Sequence, residues 1–228
     1  MDQSITVTPQ GPYVVTGQVP LRRKRAVRTG QDEPVAWQSD EPLDGGESYS
    51  LCRCGGSQNK PFCDGSHRDH EWDGTTTASG ETYDDRAVLH LGDGLVMRDD
   101  RGLCQHAGFC GTKLTNAWKM TKQTADTAVR SQLIAMVERC PSGALTHRVT
   151  ADGPDVEPDL AVGIGVVDDG PLWVTGGVRV VRDDGVPVET RNRMTLCRCG
   201  ASKNKPLCDG SHASVGFVDH SGAPAVGA

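Results

Sequence analysis

Long hydrophobic runs and a leader-like N-terminus are both absent from this 228-residue chain. No 18 apolar residues follow one another, and residues 1–7 contain neither a basic nor an apolar segment, so we expect no membrane-spanning helix and no export. Excess positive charge is also absent, because the formal net charge is -6 at pH 7. A general nucleic-acid or anionic-membrane surface needs clustered positive charge. The sequence therefore predicts a soluble, cytoplasmic protein that binds neither nucleic acid nor membrane.

Aromatic residues are scarce, at 4% of the chain, whereas glycine occurs 28 times. A small folding unit of this composition has a thin apolar core and benefits from a metal or a crosslink. Nine cysteines are present, but the number is odd, and Cys52 and Cys54 are too close in sequence for an ordinary disulfide. Since disulfides are also rare in the cytosol, we expect the cysteines to bind metal as thiolates.

A cluster of three cysteines and one histidine occurs twice in the chain. The stretch LCRCGGSQNKPFCDGSH returns 145 positions later as LCRCGASKNKPLCDGSH, with 14 of 17 residues identical. The candidate ligands are Cys52, Cys54, Cys63 and His67 in the first copy, and Cys197, Cys199, Cys208 and His212 in the second. Three cysteines and one histidine form an ordinary zinc ligand set. However, a C-x-C pair followed by a distant C-x3-H pair suits two metal ions, each held by one pair.

A weaker echo precedes each motif, since GPYVVTG in the first copy corresponds to GPLWVTG in the second at an offset of 159. The first copy therefore contains a 14-residue insertion, which we place in a loop within residues 31–47. In the second copy, alternation over residues 178–182, a DDG turn and a second extended run over residues 186–195 predict a β-hairpin.

Both motifs resemble those of the CDGSH iron-sulfur domain family of the mitoNEET type. The resemblance implies one 2Fe-2S cluster per copy, with the C-x-C pair on the inner iron and the cysteine and histidine of C-x3-H on the outer one. Family members pair two motifs across a homodimer and swap strands into a shared β-cap. Two motifs in one chain therefore imply an intramolecular pseudo-dimer, and we expect a monomer.

A third cysteine group lies between the copies and contains Cys104, Cys110 and Cys140. The spacing C-x5-C with a remote Cys-Pro resembles the divergent monocluster ferredoxins and the three-iron ferredoxins. This resemblance implies a 3Fe-4S cluster, or a 4Fe-4S cluster with one ligand that is not cysteine. His106 is the nearest candidate for that ligand, although the spacing fits an ordinary surface histidine equally well.

The segment around these cysteines has the pattern of a small α+β unit. Apolar periodicity predicts a helix over residues 124–139 with Asp126 as its cap, and extended patterns predict strands at 87–91, 95–98 and 145–149. The whole chain is thus expected to be α+β, with a first CDGSH-type domain at 1–80, a ferredoxin-like domain at 81–155 and a second CDGSH-type domain at 156–228. The other histidines, which lack ligand spacing, are His70, His90, His147 and His220.

The residues announce no catalytic site, because the chain has no readable nucleophile triad and no phosphate-binding loop, so we expect no enzyme. The leading interpretation is electron transfer to an unidentified redox or cluster-acceptor protein. The alternatives are transfer of 2Fe-2S clusters, redox or pH sensing, and a zinc-stabilised module for protein interaction.

Overall fold

The computed structural model describes residues 2–219. These residues form short strands and helices that are joined by loops. The strands are β1 (Ser4–Val7), β2 (Tyr13–Thr16), β3 (Leu21–Arg28), β4 (Pro34–Leu43), β5 (Ser48–Leu51), β6 (Val88–Leu91), β7 (Val96–Asp99), β8 (Leu145–Arg148), β9 (Gly163–Val167), β10 (Leu172–Thr175), β11 (Arg179–Val181) and β12 (Arg193–Leu196). The helices are α1 (Tyr83–Arg86), α2 (Ala117–Thr121), α3 (Thr127–Glu138) and α4 (Ser211–Ser214). The expected α+β class is confirmed.

Two of the three sheets mix strands from both copies of the repeat. One has the order β11-β1-β2-β5 and the other has the order β12-β10-β9-β3-β4. In the first sheet β11 pairs in parallel with β1, and in the second β3 pairs in parallel with β9. The second copy therefore lends β11 to the sheet of the first copy, and the first copy lends β3 and β4 to the sheet of the second. The expected pseudo-dimer with a shared β-cap is confirmed.

Side chains from both copies form one apolar core between these sheets. The fully buried members include Ile5, Val15 and Leu51 from the first copy, and Ile164 and Leu196 from the second. Because successive residues of a strand point to opposite faces, strands such as β2 bury alternate residues in this core. Each copy has few apolar side chains, and the two copies bury them together in one shared core.

The predicted hairpin in the second copy is wrong in its pairing. β11 pairs with β1, whereas β12 pairs with β10. The turn at Gly185 reverses the chain, but the two extended runs do not lie side by side along their lengths; they share one isolated bridge between Val181 and Pro187. The strand exchange explains this result, because β11 is the strand that leaves its own copy.

The insertion in the first copy is a strand, not the predicted loop. Its residues form most of β4, which pairs antiparallel with β3 at the edge of the second sheet. Trp37 in β4 packs against Phe109 and Trp173, with ring centroids 4.9 and 5.0 Å apart. Its indole N–H donates a hydrogen bond to the carbonyl oxygen of Arg139 at 3.0 Å. The insertion therefore contacts the central segment that contains the third cysteine group.

The central segment folds as the sequence predicts. Strands β6, β7 and β8 form an antiparallel sheet in that order, and α2 and α3 pack on it around a separate apolar cluster that includes Met97 and Leu133. The side chain of Asp126 accepts hydrogen bonds from the first turn of α3, so it caps this helix as expected. Cys140 follows the C-terminal end of α3.

Candidate metal centres

The first motif brings its ligands together as two pairs. Cys52 directly follows β5, and the loop after Cys54 folds back so that the backbone N–H of Cys52 donates to the carbonyl oxygen of Pro61 at 2.8 Å. The Sγ atoms of Cys52 and Cys54 are 3.8 Å apart. Cys63 Sγ lies 3.5 Å from Nδ1 of His67. The predicted pairs are therefore adjacent in space as well as in sequence.

The second motif repeats this arrangement after β12. Cys197 Sγ and Cys199 Sγ are 3.8 Å apart, and Cys208 Sγ lies 3.4 Å from Nδ1 of His212. The backbone N–H of Cys197 donates to the carbonyl oxygen of Pro206 at 2.8 Å, as in the first copy. Two chemically identical sites are therefore held by the same loop conformation.

Polar residues that both copies share explain this loop conformation. The carboxylate of Asp64 accepts hydrogen bonds from the backbone N–H groups of Gln58 and Ser66, at 2.7 and 3.0 Å. A hydrogen bond from the Ser66 hydroxyl at 2.6 Å, together with these backbone bonds, holds the pKa of Asp64 well below its usual range. They also tie the start of the loop to the turn Ser66–Arg68, which presents His67. Asp209 makes the corresponding bonds to Lys203 and Ser211.

The distances within each pair fit a tetrahedral metal ion. Two thiolates that each lie about 2.3 Å from one tetrahedral ion are about 3.8 Å apart, which is the separation in both C-x-C pairs. Within residues 2–219, no three side chains of histidine, cysteine, aspartate or glutamate are grouped so that they could hold one ion. The donor set therefore fits two ions with one pair each better than one ion with four ligands.

A hydrogen bond joins the two thiols of each C-x-C pair. A hydrogen bond between the side chains lowers the pKa of Cys52 to about 6 and that of Cys199 to about 7, while the same bond raises the pKa of the partner thiols Cys54 and Cys197. Each pair thus loses one proton readily at neutral pH and the second only against the first negative charge. A bound cation supplies the charge that removes the second proton.

The arginine between the first two cysteines of each motif was not predicted to take part in the site. Arg53 and Arg198 are both 1% exposed. Arg53 donates to three backbone carbonyl oxygens, and Arg198 donates to two carbonyls and to the carboxylate of Asp219. Each guanidinium thus ties its metal loop to neighbouring backbone segments, and the buried charge of Arg198 is balanced by the carboxylate of Asp219. The signal was visible, because arginine occupies the same position in both copies.

The two motifs also touch each other. Cys54 and Cys199 form an isolated antiparallel backbone bridge. From the first copy, the hydroxyl of Tyr13 donates to the carbonyl oxygens of Cys197 and Pro206 in the second motif, at 2.8 and 3.1 Å. Leu172 occupies the position of Tyr13 in the second copy and has no hydroxyl group. The second copy therefore makes no corresponding hydrogen bond to the first motif.

The three central cysteines line one cavity. Cys104, Cys110 and Cys140 border an opening of about 180 Å³. Burial raises the pKa of Cys110 to about 11, and the charges of the other two cysteines add to that rise. Gln105 lines the same cavity, and its side-chain amide nitrogen is buried and has no hydrogen-bond partner in the described part of the chain. Converging thiols and an unpaired N–H donor fit a bound anionic cluster.

Side chains from the second CDGSH-type copy hold the segment that contains Cys140. The guanidinium of Arg193, which is 1% exposed, donates to the carbonyl oxygens of Val137, Glu138 and Leu145. Arg191 donates to the carbonyl oxygen of Gly143 at 2.9 Å. The first copy has Gly46 and Ser48 at these two positions. The central cysteine site is therefore fastened to the second copy by residues that the first copy lacks.

The histidines outside the duplicated motifs have different surroundings. His106 borders the central cavity and also lies against Gly210 of the second motif. His70 lies close to Gly56 of the first motif, and His147 is a buried residue of β8. His90 is partly exposed in β6, and His220 lies outside the described residues.

Among the described residues, no helix is long and apolar enough to cross a membrane.

Comparison with known families agrees with the motifs. Residues 10–68 and 169–213 match the family described as iron-binding zinc finger CDGSH type. Residues 91–150 match the divergent 4Fe-4S mono-cluster domain. No curated protein and no solved structure matches the chain. The two matched CDGSH segments include all eight candidate ligands of the duplicated motif, and the mono-cluster segment includes all three central cysteines, so both resemblances are confirmed.

Proposed function

We propose that this chain, which has two CDGSH-type segments and a divergent 4Fe-4S mono-cluster domain between them, transfers single electrons between three clusters. The chain is an iron-sulfur protein on the basis of those matches. Iron-sulfur clusters supply one-electron redox chemistry when they are bound. The number of clusters and their role in electron transfer are the steps that we add.

The duplicated motifs would each hold one 2Fe-2S cluster. Cys52 and Cys54 would bind one iron of the first cluster, and Cys63 and His67 would bind the other. Cys197 and Cys199, with Cys208 and His212, would repeat this arrangement. The paired donors at 3.4 to 3.8 Å support this assignment. A neutral imidazole in place of one thiolate makes the site less negative, so the reduced state is more favourable than it is in a site with four cysteines.

The central cavity would hold a 3Fe-4S or a 4Fe-4S cluster on Cys104, Cys110 and Cys140. Its three converging thiols and the unpaired amide of Gln105 support an anionic occupant. His106 borders the same cavity and is the candidate for a fourth ligand in the 4Fe-4S case.

The observation that carries the electron-transfer proposal is that the candidate sites contact one another. The C-x-C pairs of the two motifs meet at the backbone bridge between Cys54 and Cys199. The central cysteines are clamped against the second copy by Arg193 and Arg191. A protein that only used metal to stabilise a binding surface would have no need for three redox-capable sites in contact.

Transfer of whole 2Fe-2S clusters is a second candidate, and one observation favours it. The outer pair of the first motif is only half-buried at Cys63 and His67, so an acceptor protein could approach it. The zinc-stabilised module is less well supported, because no group of three possible ligands surrounds one ion site within residues 2–219.

The partners and setting are also proposals. We propose a redox or cluster-acceptor protein as partner, no nucleic acid and no membrane, and a monomer whose two copies form the pseudo-dimer internally. All nine cysteines are free thiols, which suits the reducing cytoplasm. We propose no catalytic role, because all nine cysteines belong to one of the three candidate metal sites.

One experiment separates the two candidates. Protein reduced with dithionite would be mixed anaerobically with oxidised cytochrome c or with an apo-ferredoxin, and the iron that stays on the chain would be measured afterwards. Electron transfer predicts reduction of the cytochrome with all iron retained. Loss of two irons per chain to the apo-ferredoxin, without reduction of the cytochrome, would replace electron transfer by cluster transfer.

A further inference from the structure

The ring of His106 lies against the ligand loop of the second motif. A Cβ placed on Gly210 would be 2.3 Å from Cδ2 of His106, so only glycine leaves room for the ring. His106 itself has a φ of 62°, a conformation that non-glycine residues adopt at a cost and that persists where surrounding contacts enforce it. A residue that borders the central cysteine cavity is therefore held against a residue between Cys208 and His212.

Other contacts fix the loop that contains His106. Gly108 has a φ of 87° and lies against Pro34 of β4, because a Cβ added to this glycine would be 3.3 Å from Pro34 Cγ. Phe109 packs on Trp37 of the same strand. The loop that contains His106 therefore packs against β4 on one side and against Gly210 on the other.

Two further contacts join the same two loops. The side-chain amide of Asn204 donates to the carbonyl oxygen of Gly102 at 3.0 Å. Leu207, directly before Cys208, packs on the apolar cluster that contains Leu103, directly before Cys104. The loop before Cys208 therefore contacts the segment before Cys104 at two points.

The corresponding surface of the first motif is open. Gly65 has nearly the same backbone conformation as Gly210, with φ values of 93° and 88°. Among the described residues, nothing lies within 4 Å of a Cβ placed on Gly65. Cys63 is half-buried, whereas its counterpart Cys208 is 2% exposed. The duplication is thus symmetric in its ligands and asymmetric in what covers them.

We propose that the three sites form a series in which the central site exchanges electrons with the second CDGSH site across the contact between His106 and Gly210, and the first CDGSH site exchanges electrons with an external one-electron carrier protein. This inference rests on the proposed function. In each step the donor site is oxidised by one electron and the next site is reduced by one electron. An electron leaves the central site, passes to the second and then, across the bridge at Cys54 and Cys199, to the first.

The order of the sites can be tested by removing one CDGSH cluster at a time. Cys63→Ala and Cys208→Ala remove equivalent ligands, and each should lower the iron content by two per chain. In fully reduced Cys63→Ala, the remaining 2Fe-2S EPR signal should be broadened by the neighbouring central cluster. In Cys208→Ala that broadening should be lost. Equal broadening in both variants, or broadening in Cys208→Ala alone, would overturn the order.

A second pair of variants leaves all nine cysteines and the histidines of both CDGSH motifs unchanged. Gly210→Ala displaces the ring of His106, and Gly65→Ala carries the same backbone strain without a neighbour to displace. Flash reduction followed by freeze-quench EPR should show that Gly210→Ala loses the fast phase of electron exchange between the central and second sites, while the reduction potentials of the two 2Fe-2S sites stay unchanged. Gly65→Ala should keep that phase. Equal rates in the two variants would overturn the role of this contact.

Failure of the proposed function gives a different result from failure of the series. Wild-type protein without a central-cluster EPR signal would overturn both, because the series would have no starting site. Wild-type protein with all three signals, but with the variants behaving alike, would overturn the series and leave the three-cluster proposal standing.

Discussion

Gly55 of the first motif lies so close to Cys199 of the second that an added Cβ would be 2.6 Å from the carbonyl oxygen of Cys199. Gly200 and Cys54 stand in the same relation, also at 2.6 Å. The two metal motifs are thus packed backbone to backbone, and a side chain between them would have to push them apart.

Substitution of Gly55 by alanine should therefore weaken the pseudo-dimer. Alanine at its φ of 82° costs about 1 kcal/mol, and the clash with Cys199 should lower the free energy of unfolding by about 1–3 kcal/mol more. Gly65→Ala is the matched control, because its φ is also positive and no atom of the described residues is within 4 Å of the new Cβ. Anaerobic denaturation of both variants measures the difference. Equal losses of stability would mean that the two motifs do not pack as closely as described.

Arg193→Ala should release the central site. The change removes the hydrogen bonds to the carbonyl oxygens of Val137, Glu138 and Leu145. It also removes the ion pair between Arg193 and Glu157, and loss of one partner of such a buried pair costs roughly 3 kcal/mol. We expect loss of the central cluster's EPR signal while both 2Fe-2S signals remain. Arg179→Ala is the control, since its ion pair with Asp2 is exposed and is worth less than about 1 kcal/mol. If Arg193→Ala kept all three signals and its stability, the clamp would have no part in forming the site.

His212→Cys should lower the reduction potential of the second 2Fe-2S site. The change replaces a neutral imidazole by a thiolate, and the added negative charge disfavours the reduced state by on the order of 100 mV. His67→Cys should do the same to the first site and leave the second unchanged. A redox titration followed by EPR measures both potentials. An unchanged potential in either variant would show that the histidine is not a ligand.

His147 predicts a pH dependence of stability. Burial lowers the pKa of His147 in the folded chain, so below about pH 6.5 the unfolded chain binds a proton that the folded chain does not. The contribution of this residue is thus fully present above the unfolded pKa and is lost as the pH falls below it. Denaturation at pH 7.5 and pH 5.5 should show a smaller loss of stability in His147→Asn than in the wild type. The same loss in both proteins would contradict a buried, neutral His147.

The candidate ligands and the two-copy architecture could be predicted from the sequence because they depend on a short contiguous motif that occurs twice. Cys52 and Cys54 are two residues apart, so they lie on one loop in any fold. The pseudo-dimer could be predicted because the motif occurs twice and resembles a family whose members pair two such motifs. The helix α3 was also predicted, since its cap at Asp126 and its apolar spacing are local signals.

The contacts between the copies could not be predicted, because they are long-range. Periodicity indicates that residues 178–182 are extended, but it does not say that β11 pairs with β1. The insertion reads as a loop because Pro34 and Pro42 punctuate it, yet an edge strand tolerates proline and β4 is at an edge. Nothing in the spacing of His106 indicates that its ring would lie against Gly210.

The most direct test of the three-cluster proposal is the iron, zinc and acid-labile sulfide content of anaerobically purified protein, measured together with its EPR spectra before and after reduction by dithionite. Two sites of two irons each and one site of three or four predict about seven or eight irons per chain, with sulfide, two reduced 2Fe-2S signals and a third cluster signal. Stoichiometric zinc without sulfide would contradict the proposal, because the chain would then use its cysteines to hold structure and not to carry electrons.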